Sequence, residues 1–143
     1  MRVFEGTGEK EVAEAAGLSA PTAKKLTDGR LDTAVAACTD FEHSPFTPAG
    51  PCSVSFLLCF ACPNALATSR HLPRIVYLYE VLGTLRSTVS AEVWSTDWAE
   101  HFARVSALLD DHTTELSRPL LLAELTERER ALVDRMMERR LDP

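Results

Sequence analysis

Four cysteines constrain this chain more than any other feature. They stand at Cys38, Cys52, Cys59 and Cys62, all within 25 residues, and the rest of the sequence has none. A disulfide framework spreads its cysteines to tie distant segments together, and it belongs to exported chains. The opening residues, Met1-Arg2-Val3-Phe4-Glu5-Gly6, lack the apolar stretch of a signal peptide. The expected location is therefore the cytoplasm, a reducing compartment where clustered cysteines bind metal or do redox work.

The spacing is Cys-x13-Cys-x6-Cys-x2-Cys. Two thiolates separated by two residues, as in Cys59-Phe60-Ala61-Cys62, can ligate one ion from a single tight turn. Cys38 and Cys52 would complete a tetrahedral four-thiolate zinc site. The segment from Phe41 to Pro51 carries three prolines and a glycine, so regular structure is not expected there. A bound Zn2+ would supply the order that such a loop lacks. His43 or His71 could replace one cysteine as a ligand. Two other readings of the thiols stand beside zinc: an iron–sulfur cluster, and buried reduced cysteines in the apolar stretch Val54 to Phe60. Four thiolates leave no open position for water, which disfavours a catalytic zinc.

Composition narrows the class. The chain has 143 residues, 45% hydrophobic and 25% charged, with 15 Lys+Arg against 21 Asp+Glu for a net charge of −6. This length fits one domain with a core of its own. No apolar run approaches the about 18–20 residues that span a bilayer, so no membrane partner is expected. The acidic balance argues against nucleic-acid binding driven by overall charge.

Residues 1–37 read as a helix-turn-helix-like segment. Glu9 to Ala16 is rich in helix formers, Gly17 stops it, Ser19 caps the next helix and Pro21 suits its first turn. The second helix is expected over Thr22 to Asp28, and a third from Leu31 or Asp32 to Ala37. Val12, Ala16, Leu18, Ala23 and Leu26 would pack the first two helices together. Thr22, Lys24, Lys25 and Arg30 are then candidate DNA contacts, because base contacts in a helix-turn-helix come mainly from its second helix. The same segment carries five basic and six acidic residues, so a packing hairpin without DNA is the competing reading.

Residues 38–71 form the cysteine-rich metal-binding loop, and residues 72–143 a helical bundle packed on it. Within the bundle, one helix over 72–87 carries an apolar stripe at Ile75, Leu78, Leu82 and Leu85. A second starts at Ser90 and runs to about Asp110, with Trp94, Trp98, His101, Val105 and Leu108 on one face. A break over Thr113 to Pro119 precedes a last helix over about 120–140, striped by Leu125, Leu132 and Met136. Glu127, Arg128, Glu129 and Arg130 read as a solvated face. The one strand candidate is Ser53 to Phe60. The fold class is thus mainly α, a small helical domain with an irregular four-cysteine loop.

A set of motifs resembles a known family. Cys38-Thr39-Asp40-Phe41, Ser44-Pro45-Phe46, Pro51-Cys52, Phe56-Leu57-Leu58-Cys59-Phe60-Ala61-Cys62-Pro63-Asn64-Ala65 and His71-Leu72-Pro73 resemble the C-terminal extension of actinobacterial phage-integrase-type proteins, the tyrosine recombinases. The resemblance covers residues 22–143. It implies DNA recombination as the setting, with this region as an appendage beyond a catalytic domain. Such recombinases use a tyrosine nucleophile supported by arginines and a His-x-x-Arg element. His71-Leu72-Pro73-Arg74 is present literally, but it falls in the appendage, and no tyrosine follows Tyr79. No catalytic residue is therefore assigned, and the chain alone is not expected to be an enzyme. Gly-x-Ser-x-Gly, P-loop, Gly-x-Gly-x-x-Gly and His-Glu-x-x-His motifs are also missing. The expected function is an accessory DNA- or protein-interaction module with a structural zinc, its partners DNA or a tyrosine recombinase catalytic chain. The alternatives are an iron–sulfur redox-sensing regulator and a non-functional remnant of an integrase.

Overall fold

A computed structural model describes residues 1–5 and 8–141, with side chains to Arg139. The chain divides into two units, Met1–Leu72 and Pro73–Pro143. The fold is mainly helical, with a small sheet in the first unit. Among the described residues, no helix is long and apolar enough to cross a membrane.

In the first unit, helix α1 spans Glu9–Ala16 and ends where Gly17 turns left-handed, at φ 68°. A side chain at that position would be strained by the backbone alone. Helix α2 spans Ala20–Thr27; the Ser19 hydroxyl accepts from the Thr22 N–H, and Pro21 occupies the first turn. Val12, Ala16, Ala23 and Leu26 are buried, as the spacing requires.

The expected third helix does not form. Asp32 instead bridges to Ala37, the Leu31 carbonyl accepts from Cys38 N–H at 2.9 Å, and the chain enters a strand. Thr33 reinforces this turn by accepting the Ala36 N–H on its hydroxyl at 3.3 Å. Local hydrogen bonding by Asp and Thr competes with helix here.

Three strands form a sheet that the alternation pattern did not indicate: β1 (Arg2–Phe4), β2 (Ala37–Cys38) and β3 (Ala65–Thr68), in the order β1-β3-β2. β1 runs parallel to β3, with Val3 opposite Ala67, and β2 runs antiparallel, with Cys38 opposite Ala65. The parallel pairing needs a crossover, and the chain between β1 and β3 runs through α1, α2, β2, the cysteine loop and a 3₁₀ helix. Val12 and Leu26 from the helices meet Ala37 and Leu66 from the sheet, with Phe4, Leu18 and Leu31 around them. β3 is buried throughout, and a central strand covered on both faces reads as a plain apolar run.

The strand candidate over Ser53 to Phe60 is not a strand. Phe56–Ala61 is a 3₁₀ helix whose first N–H groups are met by the Ser55 hydroxyl, which accepts from Leu57 N–H at 3.3 Å. Its buried side chains are Phe56, Leu57 and Phe60. A second 3₁₀ turn, Ser69–His71, leads into helix α3, Leu72–Arg86.

In the second unit, α3 buries Ile75, Val76, Leu78 and Leu82, while Leu85 is half-buried. Ser90 caps helix α4, Ala91–Val93, by accepting the Val93 N–H at 3.2 Å. α4 continues through one π turn, Trp94–Trp98, into α5, Ala99–His112. Ala99 N–H bonds the Trp94 carbonyl five residues back, which defines the π turn. Trp94, Trp98, Val105 and Leu109 are buried, whereas His101 and Leu108 are half-buried.

The expected last helix is two. α6 spans Ser117–Ala123, starting inside the expected break and running past it, and α7 spans Glu127–Leu141. Between them Thr126 and Glu129 form a reciprocal cap: Glu129 N–H donates to Thr126 Oγ1 at 3.2 Å, and Thr126 N–H to Glu129 Oε2 at 3.5 Å. This Thr-x-x-Glu pattern starts a new helix. The buried stripe runs through Leu125, Val133 and Met137; Leu132 and Met136 are only half-buried. The 127–130 run is not simply a solvated face. Glu129 lies 3.7 Å from Arg74, and the Arg130 guanidinium sits 4.7 Å over the Tyr77 ring. Tyr77 in turn donates its hydroxyl to Asp134 at 2.6 Å.

Candidate metal centre

The four cysteines reach one place in the first unit by different routes. Cys38 is carried by β2, beside Ala65 of β3. Cys59 and Cys62 belong to the 3₁₀ turn, closed by Cys62 N–H donating to the Cys59 carbonyl at 3.1 Å. Cys52 sits in the proline-rich loop, its N–H donating to the Phe41 carbonyl at 2.8 Å. All four line a single cavity, with Asp40 and Phe46 among its other walls. The cavity offers about 20 Å³ to the centre of a water molecule, room for one body of that size. All four thiols are free and half-buried.

Asn64, two residues beyond the last cysteine, clasps the loop. Its side-chain N–H groups donate to the carbonyls of Asp40 at 3.2 Å and His43 at 3.0 Å. Its own carbonyl accepts from Thr39 N–H at 2.9 Å and from the Thr39 hydroxyl at 3.1 Å. These bonds hold the segment after Cys38 against the segment after Cys62. Asn64 stands within the resembling motif, but a lone Asn after Cys-Pro carries no local signal of a clasp of such reach.

Burial pushes the Cys59 thiol up to about 11, with the neighbouring Cys62, Cys38 and Cys52 adding to the rise. Burial likewise raises the Cys38 thiol. Without a cation, proximity of thiolates is unfavourable; a divalent cation reverses that sign by stabilising each thiolate it binds. Four sulfur donors are the kind of set that structural Zn2+ takes. As the side chains stand, no group of three or more His, Cys, Asp or Glu among the described residues is close enough to hold an ion.

The alternative ligands His43 and His71 do not line this cavity. His43 is exposed and its Nδ1 lies 2.8 Å from Asp40 Oδ1. His71 is fully buried and engaged at both ring nitrogens. Thr68 N–H donates to Nδ1 at 3.0 Å, so Nε2–H is left to donate to Asp32 Oδ1 at 2.9 Å. His71 is thus a structural residue at the mouth of α3.

Asp32 is the hub of that arrangement. Arg70 grips it in bidentate fashion, Nη1 to Oδ2 at 2.8 Å and Nη2 to Oδ1 at 2.9 Å, and Nη2 also donates to the Leu26 carbonyl at 3.0 Å. Burial alone would raise the Asp32 carboxyl; the hydrogen bonds from Arg70 and His71 overcome it and hold the group well below the usual carboxylate range. The network joins the end of α2, the entry to β2 and the exit of β3.

Of the candidate DNA contacts, Lys24, Lys25 and Arg30 are exposed on α2 and the turn after it. Thr22 is half-buried, and its hydroxyl oxygen accepts from Ser19 Oγ at 2.9 Å within the cap. It serves the helix start first. Comparison of the chain with protein-family models, with curated proteins and with solved structures returns no match.

Proposed function

We propose that the first unit is a zinc-organised interaction module, akin to the C-terminal extension of site-specific integrases, whose helical hairpin contacts DNA. The observation that carries the zinc is the meeting of Cys38, Cys52, Cys59 and Cys62 around one small cavity. A site of four thiolates is closed to substrate, so the metal's role is to fix the loop rather than to catalyse. Zinc is the reading preferred over an iron–sulfur cluster because a four-thiolate structural zinc asks only for the cysteines, with no inorganic sulfide. For DNA, the support is the pair of helices α1 and α2 joined by Gly17-Leu18-Ser19, with Lys24, Lys25 and Arg30 on the open side. This footprint is small, so contact of this kind adds to a larger complex, such as one with a recombinase catalytic chain.

Elemental analysis of purified protein tests the metal: about one zinc per chain is expected, lost in Cys59→Ser. Zinc at trace level with four reactive thiols would refute it, and a brown, iron-containing protein would turn the reading to a cluster. A gel shift over a salt series tests the hairpin. Lys24→Ala and Lys25→Ala should each weaken binding and lower the salt slope by about one; duplex binding that ignores both substitutions would remove α2 from the interface.

A further inference from the structure

We propose that the loop of residues 39–55 is a docking surface for a cationic, apolar segment of a protein partner. Two observations meet here. The first is apolar exposure: Phe41 is 53% exposed and Phe46 41%, and they are the large hydrophobics of the first unit that stand exposed among its described residues. Their backbones are pinned while their rings face water. The Phe41 carbonyl accepts from Cys52 N–H at 2.8 Å, and Phe46 N–H donates to Ser44 Oγ at 3.1 Å. Rings held open on a fixed backbone lose little freedom on binding, which favours them as anchors.

The second is charge. From residue 31 to residue 69 the sequence contains no Lys or Arg, while Asp32, Asp40 and Glu42 lie within it. Asp32 is taken up by Arg70 and His71 and Asp40 lies 2.8 Å from the exposed His43 ring, which leaves Glu42 on one side of Phe41 and the Asp40–His43 pair near it on the other. Glu42 is exposed, and the Asp40 side chain is 47% exposed. A nucleic acid or an anionic lipid surface would meet these acids with repulsion. A segment that brings Lys or Arg beside apolar side chains would meet both the rings and the carboxylates with complementary chemistry. This surface is distinct from the Lys24/Lys25 face, and it stands on the loop's side chains whether or not zinc is bound.

The test is selection of random 16-residue displayed peptides on the full chain, counter-selected on a Phe41→Ser/Phe46→Ser variant, with metal content read separately on the same samples. Peptides rich in Lys or Arg with interspersed Leu or aromatic residues are expected. Their affinity should fall at least about tenfold in the double variant, fall further as salt rises, and weaken several-fold in Glu42→Gln. Phe46 also borders the cysteine cavity, so melting is read on every variant, and Phe41→Ser alone, at the more exposed ring, should melt as the parent does and still weaken binding, which keeps a loss of binding from meaning a loss of fold. Enrichment of acidic or uncharged peptides, no enrichment at all, or affinities indifferent to these substitutions would overturn the proposal. So would binding of duplex DNA or phosphatidylserine vesicles that depends on Phe41 and Phe46. A protein without metal that still selects basic peptides would sink the zinc reading and leave this one standing.

Discussion

Replacing Asp32 by Ala removes the acceptor on which three elements of the first unit converge. Its side chain is 16% exposed, that of His71 0% and that of Arg70 38%. Loss of the acceptor deletes the bond from the buried His71 Nε2–H, at about 1–3 kcal/mol. The Arg70 pair is partly screened by water, so its share is discounted to about 0–1 kcal/mol. The sum is about 1–4 kcal/mol. Asp32→Asn keeps an oxygen for His71 and should cost about 1 kcal/mol; Asp28→Ala, exposed at the end of α2, should stay within about 0.5 kcal/mol. Native-state hydrogen exchange of the β3 amides is the assay, since β3 lies at the centre of the sheet. Asp32→Ala should speed their exchange about 5- to 700-fold at pH 7. The depressed carboxyl of Asp32 gives a further check. A group whose folded pKa is lowered stabilises above its unfolded value, near 4, and the stabilisation drains away as pH falls towards the folded value. The gap between parent and variant should therefore be full at neutral pH and narrow below about pH 4. Exchange of β3 accelerated less than about threefold, or a gap that does not change between pH 7 and pH 3, would refute the hub.

Other expected outcomes are more compact. Met137→Ala, at a buried position, should cost about 2–5 kcal/mol, and Met136→Ala less than half of that; urea titrations of the two variants would expose the reverse order. Thr126→Ala removes the cap of α7 and should cost about 1 kcal/mol, visible as fraying in the exchange of the 127–130 amides. Tyr77→Phe deletes the bond to Asp134 and should cost about 0.5–1.5 kcal/mol. In the parent, burial and then Asp134 raise the Tyr77 phenol, so one of the two tyrosines should ionise late in an alkaline absorbance titration. A strong chelator should lower the melting temperature of the first unit if zinc orders its loop; an unchanged melt would count against the metal.

The parts of the fold written in local chemistry were legible. Gly17 and Ser19 mark the two faces of one turn, and the burial of Ile75, Leu78 and Leu82 on α3 follows from their spacing alone. The four thiols line one cavity, but among the described residues they do not draw together into a group that could hold an ion, and the spacing alone does not say how close the loop brings them. The sheet was not legible. β1 and β3 pair across more than sixty residues, and Ala65-Leu66-Ala67-Thr68 shows no alternation because both its faces are covered. The face of α7 was ambiguous for another reason. Leu132, Val133, Met136 and Met137 offer two adjacent stripes of equal merit, and the neighbours Arg130 and Asp134, both directed at Tyr77, go with Val133 and Met137. The Asp32–Arg70–His71 network joins residues some forty positions apart, and no property of Asp32 in isolation announces it.

The stretch without Lys or Arg also sets what a protease can see. Trypsin has nothing to cut between Arg30 and Arg70, however open the loop becomes. Survival of this region in a tryptic digest is therefore silent about whether it is folded. Chymotrypsin, which attacks at the exposed Phe41 and Phe46, would report its order instead. Complete tryptic cleavage leaves Leu31–Arg70 as one peptide bearing all four thiols, so a single mass discloses how many of them are oxidised, alkylated or still reduced.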